Sequence, residues 1–154
     1  MLRGVPEVRA DVMIAAPPER VWSVLMDWPR QAEWILGTSV QVVAGDGASV
    51  GSRIEAWTGV GRAGFLDTMT ITVWEAPYRC DVEHTGRVVR GTGSFILQAL
   101  PGGRTRFIWQ EDVDLPLGAV GRAGWPLARP FFESGVRHSL NKLARIAEAE
   151  HAAG

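Results

Sequence analysis

The C-terminal stretch, from about Leu117 to His151, constrains the fold of this chain more than any other part of it. From Ala128 onward, Phe132, Val136, Leu140, Leu143, Ile146 and Ala147 recur at spacings of three and four, which aligns them on one stripe of an α-helix. Arg137, Asn141, Arg145 and Glu148 fall on the far side. Trp125 is in phase with the same stripe, although Pro126 and Pro130 interrupt the run. A proline inside a helix removes a hydrogen bond and kinks it. The pattern therefore predicts one long, kinked helix, with two separate helices as the alternative. A stripe this long must be buried against something large.

The preceding chain reads as that partner. Val8, Ala10, Val12 and Ile14 alternate with Arg9, Asp11 and Met13, which predicts a strand over 7–15. In Ala15-Ala16-Pro17-Pro18-Glu19-Arg20-Val21-Trp22, proline suits a first helical turn and Glu19 complements the positive end of the helix dipole. Val21, Trp22, Leu25, Met26 and Trp28 supply an apolar side. Trp28-Pro29 is the expected end of this helix, with a further short helical turn or two over Arg30 to Ile35.

From Ser39 to Val113 the period changes to two. Val40 and Val42 alternate before a turn at Gly45-Asp46-Gly47, and Ser52 to Thr58 makes the next segment, closed by Gly59-Val60-Gly61. Phe65, Asp67, Met69, Ile71 and Val73 share one face of a third segment, with Leu66, Thr68, Thr70, Thr72 and Trp74 on the other. Cys80, Val82 and His84 share a face of a fourth. Gly91, Gly93, Phe95, Leu97 and Ala99 alternate in a fifth, which ends at Pro101-Gly102-Gly103. Phe107, Trp109, Glu111 and Val113 alternate in a sixth, and Pro116 and Gly118 separate it from the long helix. Strands joined by tight turns, with the helices segregated, predict an α+β fold with an antiparallel meander of about seven strands. Its covered face opposes the C-terminal helix.

Composition narrows the function classes. A chain of 154 residues can bury a real core in a single domain, expected to span 1–154. Sixteen Lys+Arg against seventeen Asp+Glu, a formal net charge of -1, gives no reason to expect nucleic acid. The lone cysteine, Cys80, excludes an intrachain disulfide and suits a reducing cytoplasm. No apolar run approaches the roughly 20 residues of a membrane span, and MLRGVPEVRADV has no apolar signal core. Nothing has metal-ligand spacing around Asp11, Asp27, His138 or His151. Gly59-Val60-Gly61-Arg62-Ala63-Gly64 matches a GxGxxG pattern but lies between strands with no helix after it, which points to a mobile hairpin loop over a pocket mouth. Neither a metal nor a cofactor is expected. Arg122, Arg129, Arg137, Lys142 and Arg145 give the long helix a basic flank that could meet an anionic membrane transiently. The oligomeric state stays open.

The order of elements, the Ala16-Pro17-Pro18-Glu19-Arg20-Val21-Trp22 segment and the following Trp28-Pro29 and Trp34 resemble the START-like, or SRPBCC, superfamily. Asp67, Trp74-Glu75-Ala76-Pro77-Tyr78-Arg79, His84-Thr85-Gly86-Arg87-Val88-Val89-Arg90-Gly91 and Trp109-Gln110-Glu111 are similar to bacterial members of the polyketide cyclase/dehydrase and lipid transport type. The resemblance covers roughly residues 7–150. It implies a helix-grip fold, in which a curved sheet wraps the long helix around an apolar cavity. No universal catalytic motif comes with it, so no catalytic role is carried over by position.

Three ionisable residues lie on faces that are otherwise apolar: His84, Glu111 and Asp67. Buried charges need partners or shifted pKa values. The three are candidate acid–base groups, and equally candidates for fixing the polar end of a lipid, or for a satisfied structural cluster. Candidate ligand contacts on the strands are Trp57, Met69, Ile71, Val82, Phe95 and Trp109, beside His84 and Glu111. On the long helix they are Trp125, Phe132, Val136, Ser139 and Leu140, with Gly135 and Ser139 small enough to leave room opposite. The expected function is binding of a small hydrophobic molecule, lipid or polyketide-like. The alternatives are an aromatase/cyclase or dehydratase working in the same cavity, and an interaction module that uses its surface.

Overall fold

The structure, a computed structural model, describes residues 7–114 and 118–154. Strand β1 (Glu7–Ile14) leads into α1 (Pro18–Leu25) and a 3-10 helix (Trp28–Glu33). Six strands follow: β2 (Thr38–Ala44), β3 (Arg53–Val60), β4 (Ala63–Glu75), β5 (Arg79–Thr85), β6 (Arg90–Leu100) and β7 (Arg104–Asp114). The chain ends in α2 (Gly118–Ala153). Pro116, expected in the break before α2, lies outside the described residues.

All strand pairs are antiparallel, and the sheet runs β1-β7-β6-β5-β4-β3-β2. The meander from β2 to β7 follows from its tight turns. The pairing of β1 with β7 closes a long-range contact, Ile14 opposite Thr105 and Glu7 opposite Asp112. Strands β1 and β2 are therefore the two edges, and α1 with the 3-10 helix carries the chain from one edge to the other. This is the helix-grip arrangement expected of the sequence.

Helix α1 starts as expected, with Pro18 in its first turn and Glu19 at the positive end of the dipole. It stops at Leu25, three residues before the expected end. Pro29 instead sits in the first turn of the 3-10 helix, because a residue without an N–H fits a first turn as well as it fits a break. Arg30 ties that short helix to the end of α2 through Glu150 at 2.7 Å, and it also pairs with Glu33.

Helix α2 is continuous through Pro126 and Pro130. Its C-terminal half buries Val136, Leu140, Leu143, Ala144 and Ala147, at the expected spacing, among Ile14, Val21, Leu25 and Phe107. Its more N-terminal turns do not pack this way. Phe132, the stripe residue at that end, is 46% exposed, and Leu127 and Phe131 beside the stripe are 79% and 81% exposed. The stripe is thus divided between a filled core at one end of the sheet and open space at the other.

One strand face departs from simple alternation. The β4–β5 register shifts between Ile71 and Val73, which places Trp74 opposite Cys80. The extra residue of a bulge reverses the facing of everything after it. Trp74, expected on the outer face, instead packs into the core with its ring 5.0 Å from that of Trp22.

Candidate functional site

Beside residues 131–139 of α2 lies a cavity of about 830 Å³, partly open to solvent. Inward residues of the sheet, among them Val40, Ala56, Met69, Val82 and Phe95, form one wall. Trp28, Ile35 and Leu36 form a second, and Phe131, Phe132, Gly135, Val136 and Ser139 of α2 a third. A volume of this order suits a small-molecule site. Ser139 Oγ accepts the Leu36 N–H at 3.3 Å and joins the second and third walls.

The one charged cluster among the described lining residues is built across three strands. His84 on β5 is 6% exposed. Its Nδ1–H donates to both carboxylate oxygens of Asp67 on β4, each at 2.9 Å. Its Nε2–H donates to Glu111 Oε2 on β7, also at 2.9 Å. Glu111 Oε1 accepts the indole N–H of Trp109 at 2.8 Å. Burial disfavours a charged imidazole, but the hydrogen bonds and charges of Asp67 and Glu111 outweigh it and push the pKa from 6.5 to about 10. His84 is therefore an imidazolium at neutral pH, with both N–H groups engaged.

The reach from β5 to β7 depends on β6. His84 lies opposite Gly91, and Glu111 lies opposite Gly93. Strands two apart are separated by roughly 9–10 Å, and an intervening side chain would block the contact. A Cβ on Gly93 would sit 2.7 Å from Glu111 Oε2. Gly93 leaves a saddle across which the two side chains meet, whereas a Cβ on Gly91 would meet the backbone of Asp112 instead.

The aromatic wall beside the cluster is Phe95 and Trp109, edge to face with centroids 5.6 Å apart. Trp34 packs on both and is fully buried. Its Nε1 is a buried donor with no partner among the described residues.

Of the expected contact residues, Met69, Val82, His84, Phe95, Trp109, Glu111, Phe132, Val136 and Ser139 line the cavity, as does Asp67. Three do not. Ile71 and Leu140 are buried within the filled part of the core. Trp57 alternates with inward-facing Ala56 and Thr58, so it lies on the outer face, where its ring covers Gly59 and Gly64. That packing also corrects the reading of the glycine-rich segment. Gly59 and Gly64 are paired strand residues of the β3–β4 hairpin, and the segment lines no part of the cavity. The side chains of Trp125 and Arg122 lie outside the described residues. Trp28, Leu36, Ala56, Thr58 and Val89 line the cavity without having been expected as ligand contacts. Strand alternation alone would have found Ala56 and Thr58; nothing local marks the others.

Residues 5–148 match the family described as polyketide cyclase/dehydrase and lipid transport. The chain belongs to that family. No curated protein matches it closely enough to be counted a relative. Among solved structures, this member of the polyketide cyclase/dehydrase and lipid transport family is similar to TTHA0849 from Thermus thermophilus, with TM-score 0.79 and 22% identity over 94% of this chain and 99% of that one. It is also similar to the Zhui aromatase/cyclase from Streptomyces sp. R1128, with TM-score 0.74 and 20% identity over 94% of each chain. A conserved protein from Geobacillus kaustophilus matches with TM-score 0.74 and 17% identity over 95% of this chain and 97% of that one. At these identities the likeness concerns the fold. No helix among the described residues of this family member is long and apolar enough to cross a membrane.

Proposed function

We propose that the protein binds a small hydrophobic molecule, lipid or polyketide-like, in the cavity between the sheet and α2. The observation that carries this reading is the cavity itself, about 830 Å³ with mostly apolar walls and one charged cluster. A site of that kind buries an apolar body and orients one polar end. Leu36 and Phe131, 63% and 81% exposed on residues that line the cavity, support transient contact with a lipid surface during exchange.

Binding of the neutral dye Nile red tests it. A Cβ on Gly135 meets nothing within 4 Å, so the variant Gly135→Trp has room to fill the cavity without displacing backbone. The wild type should bind the dye with saturable affinity, and Gly135→Trp should keep its fold and lose most of that affinity. Equal binding by a folded Gly135→Trp, or none by the wild type, sinks the idea.

A second reading, acid–base catalysis of cyclisation or dehydration, is favoured by the Asp67–His84–Glu111 cluster. An imidazolium with both N–H groups occupied takes up no proton at neutral pH. Any base is then Asp67 or Glu111, with His84 holding the carboxylates in place. An aromatisable β-hydroxy ketone, followed by absorbance of the aromatic product, separates the readings. Catalysis requires a rate above buffer that falls in Glu111→Gln or Asp67→Asn.

A further inference from the structure

We infer that the cavity selects apolar molecules whose polar end donates hydrogen bonds and carries no negative charge: an alcohol, phenol or amine, and not a carboxylate. This rests on the ligand-binding reading and narrows its ligand class.

The charged cluster has used up its donors. Both N–H groups of His84 go to Asp67 and Glu111, and the Trp109 indole N–H goes to Glu111. With His84 charged, the three side chains carry a formal charge of -1: two carboxylates against one imidazolium. A carboxylate offers about four lone-pair sites. Glu111 accepts one bond at each oxygen, and the two oxygens of Asp67 share one N–H. What the cluster still offers an incoming group is acceptor capacity.

Nothing else on the described walls balances an anion. No lysine or arginine is among the described lining residues. The Gln31 amide donates to Leu25 O at 2.9 Å and the Thr38 hydroxyl is shared with Leu36 O and with Thr58; the Ser94 and Ser139 hydroxyls, which also line the cavity, are neutral donors and bring no positive charge. A carboxylate would leave water for an apolar space beside net negative charge, without a cation to pair with. A hydroxyl or ammonium finds unfilled acceptors there, with the Phe95–Trp109 edge-to-face pair beside it.

Calorimetric titration with naphthalene, 2-naphthol and 2-naphthoate at neutral pH tests this with one ring system and three polar ends. Naphthol should bind more tightly than naphthalene, and naphthoate at least about tenfold more weakly than naphthol, the scale of one hydrogen bond to a charged group. Glu111→Gln, which removes one charge and adds an amide donor, should shrink the naphthol-to-naphthoate ratio several-fold; Asp67→Asn gives the same reading if Glu111→Gln fails to fold. Naphthoate binding as tightly as naphthol, or an unchanged ratio in a folded variant, overturns the inference while leaving hydrophobic binding intact. If not even naphthalene binds, the ligand-binding reading fails and takes this one with it.

Discussion

His84 Nε2 and Glu111 Oε2 lie 2.9 Å apart although their strands are not neighbours. The strand between them faces Glu111 with Gly93, where a Cβ would stand 2.7 Å from the carboxylate, so the contact exists because one side chain is missing.

Gly93→Ala should therefore break the cluster and spare the fold. Its Cβ would meet the Glu111 carboxylate at 2.7–3.0 Å, the movable end of a flexible side chain. Glu111 swings away and His84 loses one of its two partners. The imidazole pKa, followed by NMR titration, should drop well below that of the wild type, with a loss of about 1–3 kcal/mol in stability. An unmoved His84 titration would contradict the saddle.

The cluster also sets a pH dependence. Asp67 and Glu111 raise the His84 pKa from 6.5 to about 10, so the folded state holds the proton more tightly than the unfolded chain. The resulting stabilisation is fully present below about pH 6.5 and is lost as pH rises through about 10. Urea midpoints should fall over that window in the wild type and fall less in His84→Gln. A wild-type midpoint that rises over the same window contradicts the assignment of charge.

Cys80, 2% exposed on the inner face of β5, should be inert in the folded protein. Burial pushes its thiol up to about 12, with the nearby charge of Asp81 adding to the effect. Only the thiolate attacks alkylating agents. Iodoacetamide at about pH 8 should label the denatured chain quickly and the native one slowly, as mass spectrometry reads directly. Rapid native labelling would contradict the burial.

The two ends of α2 should respond differently to truncation. Leu143 is fully buried, so Leu143→Ala should cost about 2–5 kcal/mol. Phe131 is 81% exposed, and Phe131→Ser should change stability by no more than about 0.5 kcal/mol. Denaturant unfolding of both variants checks the contrast. Comparable losses would mean that Phe131 is packed as closely as Leu143.

Much of this architecture is written locally. A two-residue period decides which face a strand residue occupies, and a period near 3.6 does the same for a helix. That is why Met69, Val82, His84 and Glu111 could be assigned to the covered face, and Val136 to Ala147 to the buried stripe, from residue order alone. The family likeness rests on the same local features, and so does the order of elements.

What the tertiary structure decided are the matters that depend on pairing. Trp74 faces the core because a bulge against β5 adds one residue to the count, and a bulge is a property of two strands. The sharing of the α2 stripe between filled core and cavity depends on what lies opposite each turn, not on the stripe itself. His84, Asp67 and Glu111 could be named from alternation, but their junction over Gly93 required the register of four strands. Periodicity fixes the direction in which a side chain points; only register across the sheet fixes what it meets.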